Sequence, residues 1–276
     1  MKESPLLLSK KISKYYKKNI WLKLEILNKT GSHKDRESIN LINEAKSKRY
    51  NSIGCASTGN LAISLAFFSK IHGLKCFIWF QKKNLNKDKL KLIKKLGAYV
   101  YIKNTQSLKK LYDFSNTFMK EKKIFNANPN SSIKKITANT KIIKEIYKKT
   151  KKINTFITCV NNGTHILGIK KGLKKNDLLI GVITKSILAP SINTYTKYEF
   201  PSLKKNFNVK KNLIRANSSN IKLGFSLLKK EGINGSGASA AVVGSLSNKI
   251  FKCKKNICCI ITGNPKINFT SLKKLF

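Results

Sequence analysis

The stretch KCFIWFQKKNLNKDKLKLIKKLGAYVYI, residues 75–102, decides the fold. It opens on a short apolar run, Lys75–Phe80, of the length and aromatic content of a buried strand. A lysine-rich segment with helical periodicity follows, from Asn86 to Leu96. Gly97-Ala98 then stands where a helix closes in a left-handed turn, and Tyr99–Ile102 is a second apolar run. Strand, helix, glycine and strand make one βαβ unit, whose two strands run parallel.

The same alternation extends outward in both directions. Further strands are predicted at Ile20–Leu24, Ser52–Cys55, Thr155–Val160, Leu178–Ile183 and Ile257–Thr262. Helices are predicted at Asp35–Ser47, Asn60–His72, Gln106–Lys120, Ile136–Lys149, Ile166–Leu173, Lys222–Lys230 and Ala238–Ser247, with a terminal turn. The fold class is therefore α/β, with mostly parallel sheets. No internal repeat is visible, and the Lys/Asn-rich segment Thr196–Asn212 reads as a surface excursion.

Composition bounds the function. The chain has 276 residues, 41% of them hydrophobic, which is enough for a sizeable core. No apolar run approaches the roughly 18 to 20 residues of a membrane span. The opening MKESPLLLSKK lacks the long apolar centre of a signal peptide, so a cytoplasmic protein is expected. The 57 basic and 12 acidic residues leave a net charge of +45. Only Arg36, Arg49 and Arg215 are arginine, so 57 − 3 = 54 of the cations are lysine. Nucleic-acid recognition leans on arginine for bidentate contacts. The lysine excess, alongside abundant Asn, Ile, Phe and Tyr, matches the bias of A/T-rich codons instead. No specific nucleic-acid partner and no membrane partner are expected. The six cysteines, Cys55, Cys76, Cys159, Cys253, Cys258 and Cys259, form no CxxC pair and several sit in apolar runs, so buried reduced thiols are expected. His33, His72 and His165 are scattered, and no metal site is expected.

Four turns carry residues suited to chemistry. KTGSHKDRES, residues 29–38, places Lys34 after a small Thr-Gly-Ser turn and before a helix, so that lysine points one way. GCASTGN, residues 54–60, ends a strand and starts a helix with Ser57, Thr58 and Gly59, whose free N–H groups and helix dipole suit an anion. TFITCVNNGTHILG, residues 155–168, runs a strand into Asn161-Asn162-Gly163-Thr164-His165, whose backbone N–H groups suit a phosphate. ICCIITGNPKIN, residues 257–268, delivers Thr262 at the carboxyl end of a strand, where open α/β sheets bind ligands. Each of the last three turns, taken alone, also reads as an ordinary helix cap or strand exit. Together, one lysine, one hydroxyl and two anion cradles suggest pyridoxal 5′-phosphate.

The chain resembles the threonine synthases, which belong to the tryptophan synthase β-like (fold type II) pyridoxal-phosphate enzymes. Lys23 to Arg36, KLEILNKTGSHKDR, is similar to the family signature K-x-E-x-x-N-P-T-G-S-F-K-D-R. ASTGNLA, residues 56–62, is close to its S-T-G-N motif. Residues 2–6 resemble its opening E-G-N-T-P-L, and Cys159 to Ile166 its phosphate loop. Asn126 to Pro129 resembles its Asn-Pro element, LIRAN (213–217) its I-R-I-G-N, and residues 232–246 its G-I-x-V-E-P-x-S-A-A. Thr262-Gly263 and Lys266 match T-G-H-x-x-K. The chain departs from the pattern at His33 (family Phe), Glu37 (family Gly), Ser236-Gly237 (family Glu-Pro) and in the glycine-poor loop 161–165. The arginine after the Asn-Pro element is missing, with Lys134 and Lys135 nearby.

The resemblance implies two α/β lobes with the cofactor between them. Residues 1–44 plus 127–276 would form the large cofactor domain and 45–126 a smaller inserted one. It implies that Lys34, partly desolvated, carries the cofactor as an imine and moves protons as base and acid. Asn60 would bond the ring oxygen, Asn161, Asn162, Gly163, Thr164 and His165 would hold the 5′-phosphate, and Thr262 would face the pyridine nitrogen. Ser57 and Thr58 would bind the substrate carboxylate, and Asn128 and Arg215 its phosphate. The implied reaction turns O-phospho-L-homoserine and water into L-threonine and phosphate, in a homodimer. Serine/threonine dehydratases and cysteine synthases share the lysine, asparagine and loop, and a non-catalytic basic relic of the fold is the remaining alternative.

Overall fold

The computed structural model describes residues 2–57, 59–105, 107–128, 132–189, 212–249 and 254–264. In chain order the elements are β1 (Leu6–Leu8), α1 (Lys10–Tyr16), β2 (Asn19–Leu24), α2 (Lys34–Ser47), β3 (Ser52–Ala56), α3 (Asn60–Ile71), β4 (Lys75–Gln81), α4 (Lys87–Lys95), β5 (Tyr99–Lys103), α5 (Leu108–Glu121) and β6 (Phe125–Asn126). They continue as α6 (Lys134–Lys149), β7 (Thr155–Cys159), α7 (Thr164–Gly172), β8 (Leu178–Thr184), β9 (Leu213–Ala216), α8 (Ser218–Lys230), α9 (Gly237–Gly244), α10 (Leu246–Lys249) and β10 (Asn256–Ile261).

The deciding βαβ unit is β4–α4–β5. Asn86 caps α4 by accepting the Lys89 N–H, Gly97 ends it at φ 87°, and Phe77 then pairs in parallel with Tyr99. A left-handed residue at that point is cheap only for glycine.

The chain divides into two units. Among the described residues, the first takes in those of Met1–His33 and Ile136–Lys266, and the second those of Lys34–Lys135. The sequence expectation starts the inserted segment at 45 and ends it at 126. The observed grouping reaches further at both ends, since α2 packs on α3.

In the first unit six strands run in the order β1-β2-β10-β7-β8-β9, all parallel except β1, which pairs antiparallel with β2. Alternate residues of β10 feed opposite faces. Ile257, Cys259 and Ile261 join a core with Ile12, Ile221 and Val242, while Cys258 and Ile260 join one with Ile143, Phe156 and Ile166. A sheet buried on both faces explains why ICCII is apolar without alternation. The second unit has four parallel strands in the order β5-β4-β3-β6. Its faces bury Leu41, Phe67 and Phe80 on one side and Trp79, Leu111 and Met119 on the other. The cysteines at 55, 76, 159, 258 and 259 are free and buried, and Cys253 lies outside the described residues.

Four elements go beyond the sequence reading: β1, α1, β6 and β9. The helix expected over Ala238–Ser247 breaks at Ser245. Its Gly244 crosses α8 so closely that an added β-carbon would lie 1.7 Å from the Asn220 carbonyl oxygen. The helix expected at Lys222 begins four residues earlier, because Asn217 and Asn220 form a reciprocal capping box. The excursion expected at Thr196–Asn212 lies outside the described residues except for Asn212.

Candidate active site

The turn that leads to Lys34 is held by a buried polar network in the first unit. Lys23 Nζ contacts Glu145 Oε2 at 2.6 Å and donates to the Ser4 carbonyl at 2.7 Å. The Ser4 hydroxyl donates to Glu25 Oε1 at 2.6 Å. Asn28 Nδ2 donates to Glu25 Oε2 at 2.7 Å and to the Ser32 carbonyl at 3.1 Å. Glu25 is wholly buried, so its charge is tolerable only with such partners. Lys23, Glu25, Asn28 and Ser32 are fixed positions of the Lys23–Arg36 signature, and the spacing of two of them now has a cause: Asn28 ties the Glu25 carboxylate to the Ser32 backbone of the turn.

That turn is also stitched to the end of β10. Ser32 bridges Gly263, His33 N–H donates to the Thr262 carbonyl at 3.1 Å, and Asn264 N–H donates to the Gly31 carbonyl at 2.9 Å. His33 Nδ1 lies 3.1 Å from the same Thr262 oxygen. A carbonyl has no proton to give, so Nδ1 carries it. The Thr262 side chain is buried, with Oγ1 3.4 Å from Cys159 Sγ.

The loop after β7 meets this turn through the two histidines. Gly163 caps α7 at φ 90°, and the Thr164 N–H donates to Asn162 Oδ1 at 3.3 Å. Asn161 is exposed and Asn162 half-buried. The Thr164 hydroxyl is buried and makes no hydrogen bond. His165 is a strut: Nδ1 lies 2.9 Å from Asn139 Oδ1 on α6, and Nε2 lies 2.8 Å from Thr158 Oγ1 on β7. Its ring rests on that of His33, with centroids 4.5 Å apart. Of its groups, only the backbone is placed to join the cradle expected of residues 161–165. Sequence reasoning missed Asn139 and Thr158, for no periodicity marks which buried polar residue braces another.

The second unit holds the remaining expected residues except Arg215. Lys34 opens α2, and its Nζ lies 2.7 Å from Glu37 Oε1, with side chains 12% and 1% exposed. Asn60 opens α3 half-buried, after Gly59, whose N–H donates to Ser57 Oγ at 3.3 Å. Thr58 lies outside the described residues. Asn128 is buried and committed internally. Its Oδ1 accepts the Ala56 N–H at 2.6 Å, and Nδ2 donates to Ser115 Oγ and Asn116 Oδ1, both at 2.8 Å. Lys135, also buried, donates to the carbonyls of Ala127 and Asn128 at 2.5 Å each. Asn128 thus braces the ends of β3 and β6. Arg215 is exposed on β9, the edge strand of the first unit's sheet.

The profile of the family described as "Pyridoxal-phosphate dependent enzyme" matches residues 1–263. The chain belongs to the pyridoxal-phosphate dependent enzymes. It is 28% identical to cystathionine beta-synthase of Apis mellifera over 223 residues (72% of this chain, 42% of that one). It is 28% identical to cysteine synthase of Flavobacterium sp. over 170 residues (56% and 53%), and 34% identical to threonine synthase of Bacillus sp. over 97 residues (35% and 28%). The chain therefore spans about half or less of the length of these curated relatives. The fold is that of maize serine racemase, with a TM-score of 0.85 at 16% identity over 99% of this chain and 92% of that one.

The residues present fit the cofactor of a pyridoxal-phosphate dependent enzyme. Gly163 takes the left-handed backbone at the start of α7, and a helix N-terminus presents its positive dipole end to an anion. The orphaned Thr164 hydroxyl supplies a further donor, which a phosphate oxygen would satisfy. No helix among the described residues is long and apolar enough to cross a membrane.

Proposed function

We propose that this pyridoxal-phosphate dependent enzyme is a threonine synthase, acting on O-phospho-L-homoserine and water to give L-threonine and phosphate. The observation that carries the reading is the buried network Lys23, Glu25, Asn28 and Ser32 ahead of Lys34. It uses the residues of the signature shared with threonine synthases. The matched segment at 34% identity to the Bacillus sp. enzyme supports the same reading.

On this reading the Lys34 amine holds the cofactor covalently, Asn60 bonds its ring oxygen and Thr262 meets its ring nitrogen. The N–H groups of 161–165 and the Thr164 hydroxyl take the 5′-phosphate. When bound, the cofactor draws electrons from the substrate's α-carbon and acidifies its hydrogen. Lys34 Nζ, displaced by the substrate's amine, takes and returns protons at the substrate's carbons. Ser57 and Thr58 orient the substrate carboxylate, and Arg215 receives the substrate phosphate. The exposed position of Arg215 suits a group that must leave.

A second reading, cysteine-synthase-like or dehydratase chemistry on a serine-type substrate, is favoured by one observation. The similarity to cysteine synthase and cystathionine beta-synthase runs over a larger share of this chain than that to threonine synthase. Incubating the cofactor-loaded protein with O-phospho-L-homoserine separates the two: equal amounts of phosphate and threonine are expected. Cysteine from O-acetyl-L-serine and sulfide, with no phosphate release from phosphohomoserine, would replace the first reading by the second.

A further inference from the structure

We propose that Glu37 is the counter-ion of the Lys34 nitrogen, a positioning residue that holds this nitrogen against the first turn of α2. The inference rests on reading Lys34 as the cofactor lysine and adds a partner that the reading lacks, since the signature has glycine at position 37.

Lys34 and Glu37 stand three residues apart on one helix face, where side chains meet. Their 2.7 Å contact is in the range of a charge-assisted hydrogen bond. At 12% and 1% exposure, water and salt screen it far less than a surface pair. Other ionisable groups of this unit also stand near Lys34. Cys55 on β3 feels the Lys34 charge, but burial pushes its thiol up to about 12, against the opposite pull of Lys135 and Lys34. That thiol stays neutral and balances nothing. Asp35 Oδ1 accepts the Ser64 hydroxyl of α3 at 2.8 Å, and Arg36 carries the same sign as Lys34.

To become a nucleophile, Lys34 breaks one N–H bond and keeps the electron pair on nitrogen, and the proton passes to Glu37 to form an O–H bond. Return of that proton restores the ion pair. Before the cofactor arrives, the buried carboxylate therefore holds the amine by direct contact. Afterwards it favours positive charge on the same nitrogen, which draws electrons from the carbon bonded to it.

The test begins on the cofactor-free protein. Trace acetic anhydride at pH 7, with peptide mapping, reads the reactivity of Lys34 against the exposed Lys29. Glu37→Gln is expected to raise Lys34 labelling roughly tenfold, because the amine is released from its charge-assisted contact with the carboxylate. Glu37→Asp keeps the charge and is expected to stay within roughly twofold of the native protein. After loading with pyridoxal 5′-phosphate, the visible band of Glu37→Gln at pH 7 should move to shorter wavelength, toward that of the uncharged nitrogen. Equal labelling of Lys34 in native and Glu37→Gln protein would overturn the inference. Should Glu37→Gln not fold, the double variant Lys34→Met/Glu37→Gln must melt above Lys34→Met, and an equal or lower melting point overturns it. Borohydride trapping of the label on a lysine other than Lys34 would instead remove the cofactor reading and leave the ion pair standing.

Discussion

Lys34 differs from the other lysines of a lysine-saturated chain because everything before it is fixed. Asn28 joins the Glu25 carboxylate to the Ser32 carbonyl, and Thr262 receives both the backbone and the ring of His33. Lys34→Ala is expected to abolish turnover and the covalent absorption band while leaving circular dichroism unchanged. Lys29→Ala, at an exposed site on the same turn, should leave all three near native. Asn28→Ala removes two hydrogen bonds, one of them to a wholly buried carboxylate. It should cost about 2 kcal/mol in denaturant unfolding, with slower borohydride-trappable loading of Lys34. A loss under about 0.5 kcal/mol would mean that water replaces the amide at Glu25. At this scale the sequence was legible where a signature holds residues that pair close along the chain, as with Glu25 and Asn28. It was silent about His165, whose partners Asn139 and Thr158 are chosen by packing.

Among the elements, α8 and α9 make the closest approach described here. An added β-carbon on Gly224 would lie 1.9 Å from the Ala240 carbonyl oxygen. Gly224→Ala therefore forces the helices apart and should destabilise by about 2 kcal/mol or more, read as a lower melting temperature. Gly59→Ala, where an added β-carbon meets nothing within 4 Å, is the control for substitution as such. Elements whose period changes sharply, such as β4–α4–β5, were readable from sequence. Those of two or three residues were not. β6 is Phe125–Asn126 and β1 is Leu6–Leu8, and each exists because a neighbouring strand offers hydrogen bonds at that register. A seven-residue helix such as α1, closed by Ser9 at one end and left-handed Lys17 at the other, is equally a product of its surroundings.

The whole molecule carries +45 charges, and burial does not reduce that excess at the surface, because among the described residues buried Lys23, Arg36 and Lys135 match buried Glu25, Asp35 and Glu37. Self-repulsion should therefore make the melting temperature rise as salt increases from low ionic strength. Binding to generic single-stranded RNA should fall steeply over the same range. Tight, sequence-selective RNA binding at physiological salt would contradict the reading of the lysines as codon bias. The strand order of the first unit has a further consequence, in the order of synthesis. Asn19 pairs with Asn256, 237 residues later, so β2 and β7 leave the ribosome with the strand that belongs between them still unmade. The second unit's four strands all lie within one contiguous stretch, Lys34–Lys135, and can close while translation continues. The nascent chain thus carries a finished module beside open sheet edges that invite chaperones or misassembly until β10 emerges. A chain stalled before Asn256 should accordingly show protease-resistant Lys34–Lys135 fragments while residues 136–255 are digested.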